Sequence, residues 1–171
     1  MRFHIEQFFD APRDKVEAAL LDEGYLARLG ELPKIGRPQL LSQERDDGRV
    51  HQRVRYKFTG DLAPVVRRVI DPERLTWIED STFDPATHRT ELRIVPDHYG
   101  QRLRCSMTIR FDADSDRTTR VVDGEVNVPM PLVGGKVEGA IVSGLKENID
   151  VEAQLLRDWL TEHGDGARTT P

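Results

Sequence analysis

The stretch from Pro131 to His163, PLVGGKVEGAIVSGLKENIDVEAQLLRDWLTEH, decides how this chain folds. Set out at 3.6 residues per turn, Val133, Val137, Ile141, Gly144, Leu145, Asn148, Val151, Leu155 and Trp159 fall on one stripe, the signature of a long amphipathic helix. Lys146, Glu147, Asp150, Gln154 and Arg157 occupy the opposite side. Two members of the stripe do not suit a helix that only packs. A mid-helix glycine such as Gly144 costs roughly 1 kcal/mol against alanine, and a buried amide such as Asn148 must find partners. A helix laid over a cavity accounts for both.

Upstream of this helix the apolar period is 2. Val50, Gln52, Val54, Tyr56 and Phe58 alternate with Arg49, His51, Arg53, Arg55 and Lys57, which predicts a half-buried strand. Asp46-Asp47-Gly48 before it marks a hairpin from a strand over 40–45. Further strands are predicted at 65–70, 74–82, 88–95, 101–111 and 118–128. In 74–82 two facings compete, Leu75, Trp77 and Glu79 against Thr76, Ile78 and Asp80. Pro129 and Pro131 end the sheet. At the other end of the chain, Phe3, Ile5, Gln7 and Phe9 alternate as a first strand. Asp10 is placed to cap a helix with Pro12 in its first turn. Tyr25, Leu26 and Leu29 begin a second short helix that ends at Gly30. The order is strand, two short helices, antiparallel meander, long helix: an α+β architecture with the sheet wrapped around the last helix.

Phe8-Phe9-Asp10-Ala11-Pro12, followed by Val16, Leu20, Asp22 and Tyr25-Leu26, resembles the entry motif of START-like (SRPBCC, helix-grip) proteins. That superfamily includes polyketide cyclases and aromatases, lipid-transfer domains and the birch-pollen-related allergens, and the chain is most similar to an uncharacterised bacterial branch of it. The order of elements fits over residues 1–163, leaving 164–171 as a tail of disordered composition. The count here is eight strands, where the family pattern has seven, so 65–82 is either one bent strand or an extra hairpin. The resemblance implies a cavity between the curved sheet and the last helix that holds an apolar or aromatic ligand.

The chain has 171 residues with 25 basic and 30 acidic side chains, net −5. This balance argues against a dedicated nucleic-acid binder. No apolar run reaches the roughly 18 residues that cross a bilayer, and the charged N-terminus does not read as a signal peptide. One cysteine, Cys105, permits no internal disulfide and suits a reducing cytoplasm.

The candidate ligand-binding residues are Gln52, Tyr56, Trp77, Met107, Val137, Ile141, Gly144 and Asn148. Gln52 and Asn148 are candidates to orient a ligand by hydrogen bonds, against the alternative that each bonds a neighbour within an ordinary core. Tyr56 and Trp77 are candidates to stack on it. Cys105 and Gly124 are expected inward, where small residues leave volume. No catalytic residue, metal or cofactor is assigned. Asp123 and Glu125 pair on one strand face, with Glu79 a candidate inward carboxylate on another strand, and paired carboxylates can serve as general acid and base; but Val122, Gly124, Val126 and Val128 form the apolar face, so Asp123 and Glu125 belong in solvent. The five histidines lack metal-ligand spacing. Asp112, Asp114 and Asp116 imitate a calcium loop, with Arg117 where its glycine should be. Gly134-Gly135-Lys136 lacks the first glycine and the Ser/Thr of a phosphate loop. The basic row from Arg49 to Lys57 reads as a solvated outer face. Three functions follow: binding of a small hydrophobic or amphipathic molecule, a cyclase- or aromatase-like enzyme, or an interaction module with a filled core.

Overall fold

The computed structural model describes residues 1–68, 71–100 and 102–164. The chain begins with strand β1 (Arg2–Phe9), followed by helices α1 (Arg13–Leu20) and α2 (Glu23–Arg28) and a 3-10 turn at Leu29–Glu31. Strands β2 (Gln39–Asp46) and β3 (Arg49–Lys57) come next, then a short helix α3 (Pro64–Arg67) and a 3-10 turn at Pro72–Arg74. Strands β4 (Thr76–Asp84), β5 (Arg89–Pro96), β6 (Arg104–Asp114) and β7 (Arg117–Asn127) complete the meander, and α4 (Gly134–Gly164) closes the chain. The sheet has seven antiparallel strands in the order β1-β7-β6-β5-β4-β3-β2. It curves around α4, the expected α+β helix-grip arrangement.

Local chemistry explains most boundaries. The β2–β3 turn is Asp47-Gly48, with φ of 47° and 78°, the two positive angles that a type I′ hairpin demands. Asp22 caps α2, its carboxylate accepting from the Gly24 and Tyr25 amides. Asp10 does not cap α1 as expected. Its carboxylate instead accepts from Arg117 Nε at 2.7 Å, and Pro12 precedes the helix without a side-chain cap.

The strand expected over 65–70 is a correction. Its described part lies in α3 and the residue after it, and residues 69–70 fall outside the described set. Pro64 at the first helical position presets a helical φ and has no N–H to give a sheet. The sheet therefore has seven strands rather than eight, and the described part of 65–82 forms neither one bent strand nor an extra hairpin. The long helix begins at Gly134, three residues later than the sequence stretch suggests.

Three apolar clusters hold α4 to the sheet and to the early helices. Phe3, Val122, Val126, Val137 and Val142 form the first. The second joins Phe9, Val16, Tyr25 and Phe111 to Ala153 and Leu156 of α4. Leu26, Leu32, Ile35, Val54 and Tyr56 form the third. Each fully buried Leu or Val in them contributes about 1.5–3 kcal/mol. The predicted stripe on α4 drifts in its last half: Val151 is 45% exposed, while Ala153 and Leu156 are buried. There α1 and α2 pack against the helix alongside the sheet, so the covered arc is displaced from the row that continues Val133–Asn148.

Candidate functional site

Two chambers lie between the sheet and α4. The first, of about 200 Å³, is bounded by α1, α2, strands β3 to β7 and the middle of α4. The second, of about 220 Å³, lies towards the start of α4, under the Phe58–Val66 connection. Ile35, Trp77, Glu79, Leu145 and Asn148 line both. A Cβ built on Gly144 would meet nothing within 4 Å, so the missing side chain leaves open space. Gly124 behaves differently from expectation: the Phe3 ring already occupies the space above it, leaving no room for a Cβ.

The candidate ligand residues divide between these chambers. Gln52, Tyr56 and Met107 line the first, Ile141 and Gly144 the second, and Trp77 and Asn148 both. Val137 lines neither; it is fully buried in the core. Tyr56 and Trp77 stack with ring centroids 5.7 Å apart and planes at 16°. Gln52 donates from Nε2 to Gln43 Oε1 at 2.8 Å, so its amide is already engaged. The facing of β4 is settled, since Trp77, Glu79, Ser81 and Phe83 line the first chamber. Ile78 is buried on the other face as well, which is why alternation alone left this strand ambiguous.

Two polar features stand out, of which sequence analysis singles out only the second. One is a network at the floor of the first chamber. Arg120, buried on β7, donates to Gln7 Oε1 and to the Glu152 carboxylate. Tyr25 donates its hydroxyl to Glu152 Oε1, and Gln7 Nε2 donates to the Ile149 carbonyl at 2.8 Å. Burial, and then the Glu152 charge, holds the Tyr25 hydroxyl far above its usual pKa. Parity carried a signal for this network, because Arg120 alternates with Val122 and Val126, and Glu152 lies one turn after Asn148.

The second feature is Glu79. Burial, with the Glu152 charge adding to it, pushes its carboxyl up to about 7 against a hydrogen bond that lowers it. That bond comes from Trp77 Nε1 at 3.4 Å. An acid poised near neutrality in a cavity has the properties of a proton donor or acceptor. Cys105 lines the second chamber, where burial raises its thiol pKa and leaves it unreactive.

Outside the cavity the other motifs are surface features. Asp123 and Glu125 are exposed, and Asp123 Oδ1 lies 2.6 Å from His4 Nδ1. This bond, and then the one to Glu6, raises the His4 pKa. The basic row on β3 is exposed and largely paired, Arg49 with Asp84, Arg55 with Asp97 and Lys57 with Glu73. Asp112 accepts from Arg110. Among the described residues no helix is long and apolar enough to cross a membrane.

Solved structures share this fold at low identity. An aromatase/cyclase, Zhui, from Streptomyces sp. R1128 matches with a TM-score of 0.68 and 19% identity over 99% of this chain and 100% of its own. A norcoclaurine synthase point mutant from Thalictrum flavum, in complex with a transition-state analogue, matches with a TM-score of 0.68 and 17% identity over 96% of each chain. A protein of Thermus thermophilus matches at 0.66 and 17%, over 92% of this chain and 95% of that one. The fold is thus the START-like helix grip. No curated protein matches the sequence. A family model matches residues 4–160, and the chain belongs to that family, described as Protein of unknown function (DUF2505).

Proposed function

We propose that this protein binds a small hydrophobic or amphipathic molecule between the curved sheet and α4, without transforming it. The observation that carries the reading is unfilled volume at the centre of the fold. Two chambers of about 200 and 220 Å³ share a wall, and Gly144 faces open space, a Cβ there meeting nothing within 4 Å. Apolar lining with a few convergent polar groups is the usual composition of a small-molecule site. That unfilled volume weighs against an interaction module with a filled core, and the paired charges on β3 weigh against that face as its docking surface. The single cysteine fits a reducing, cytoplasmic setting.

Native mass spectrometry of the protein purified from its own host tests the reading. A stoichiometric small molecule, lost or weakened in Gly144→Leu, is the expected result. A protein that carries no bound small molecule, or one whose bound molecule is retained undiminished in Gly144→Leu, would overturn it.

Glu79 supports a second reading, a cyclase- or aromatase-like enzyme in which this carboxyl handles protons. Turnover of the extracted compound by the wild type and not by Glu79→Gln would establish it; absence of turnover of any bound compound would count against it.

A further inference from the structure

Charged groups that line the two chambers have partners, with one exception. Glu17 has His88 Nδ1 at 2.9 Å. Glu152 has Arg120. Lys34 has Glu147 at 2.6 Å, and Asp61 has Arg67 at 2.8 Å. Glu79 lines both chambers and has no basic partner among the described residues. Its one hydrogen bond, from Trp77, is long at 3.4 Å. The Asn148 amide also lines both chambers and makes no side-chain hydrogen bond among the described residues. A carboxylate without a counter-charge in an apolar cavity is costly, and a partner that supplies the charge recovers much of that cost. The stacked Tyr56–Trp77 pair adds aromatic faces, which attract a cation within about 6 Å of a ring centroid.

We propose that the ligand is a cationic amine with apolar groups on either side of its nitrogen, the ammonium seated on Glu79 against Trp77 with Asn148 accepting a second N–H, and the apolar groups in the two chambers. This rests on the cavity-binding reading above and narrows it to one chemical class. An ammonium is the group that this site lacks. A neutral hydroxyl would leave the Glu79 charge uncompensated.

The test is displacement of Nile red, a neutral cavity dye, by three probes of matched shape: dibenzylamine, dibenzyl ether and 1,3-diphenyl-2-propanol. The amine is expected to displace the dye at concentrations at least about tenfold lower than either neutral probe at pH 7.5, one power of ten in affinity. The preference should shrink at pH 5, where Glu79 is protonated while the amine keeps its charge. Glu79→Gln, with its fold checked by circular dichroism, should reduce the amine to the level of the neutral probes. Nile red bound by the wild type but displaced equally by all three probes would overturn the amine assignment and leave cavity binding standing. A preference for 1,3-diphenyl-2-propanol would likewise overturn it, in favour of a hydroxyl-bearing ligand. Nile red that fails to bind the wild type would overturn cavity binding and the amine assignment together.

Discussion

A carboxyl that titrates near neutrality in the folded protein and near 4.5 in the unfolded chain makes stability depend on pH in a defined direction. For Glu79, held up to about 7 by burial, the native state keeps its proton between those values while the unfolded state has released it. Stability is therefore full below 4.5 and falls as pH rises towards 7, by roughly 3 kcal/mol in total for this one group. Glu79→Gln removes that dependence. It should raise the melting temperature of the ligand-free protein at pH 8 and change it little at pH 4.5; an equal effect at both values would place Glu79 in water. Arg120 and Glu152 present the opposite case, a buried pair whose charges answer one another. Glu152→Gln leaves a guanidinium at 4% exposure without its counter-ion, which should cost roughly 3–5 kcal/mol in urea unfolding. Replacing both, as Arg120→Met with Glu152→Leu, should recover more than half of that loss. A double variant as unstable as the single one would mean that the network is held by packing instead of charge.

Two glycines show how far an element can be read without its surroundings. Gly144 stands in the middle of α4, and a methyl group placed there would have nothing within 4 Å. Gly144→Ala should therefore stabilise the protein by about 0.5–1 kcal/mol through helix propensity alone. Gly124 on β7 lies under the Phe3 ring, and Gly124→Ala should destabilise by about 1–3 kcal/mol from overpacking. Thermal unfolding of the two variants checks both signs. The sequence already marked Gly144 and Asn148 as misfits in an apolar stripe, because helical periodicity is a local property. It could not separate a glycine that leaves space from one that another side chain fills, because Phe3 and Gly124 meet only when β1 pairs with β7. The same limit hid the Arg120–Glu152 pair: each residue alone reads as an ordinary charge, and their 32-residue separation is closed only by the helix crossing the sheet. Pro64 is a local signal for α3, although the β-branched pair Val65-Val66 after it favours a strand.

On the scale of the whole molecule, the first strand pairs with the last and the final helix fills the curve between them. Its two halves have different duties. The first half, with Ile141, Gly144 and Asn148, borders the chambers. The second half closes the core: Ala153 and Leu156 pack with Phe9, Val16, Tyr25 and Phe111, and Trp159 lies edge-on to Tyr25 at 5.8 Å. A chain ending at Asp150 would keep most of the cavity lining but uncover that cluster and remove Glu152 from Arg120. Losing two fully buried apolar side chains and a buried counter-ion amounts to several kcal/mol, comparable to the roughly 5–15 kcal/mol that holds a domain folded. The truncated chain should therefore show no cooperative thermal transition by circular dichroism. A chain ending at His163 retains the Arg28–Glu162 ion pair and the stacking of His163 on Trp159, and should melt as the full-length protein does. If instead the chain ending at Asp150 melted cooperatively, the second half of α4 would be dispensable for folding, and the cluster around Phe9 and Phe111 would not be what holds the domain together.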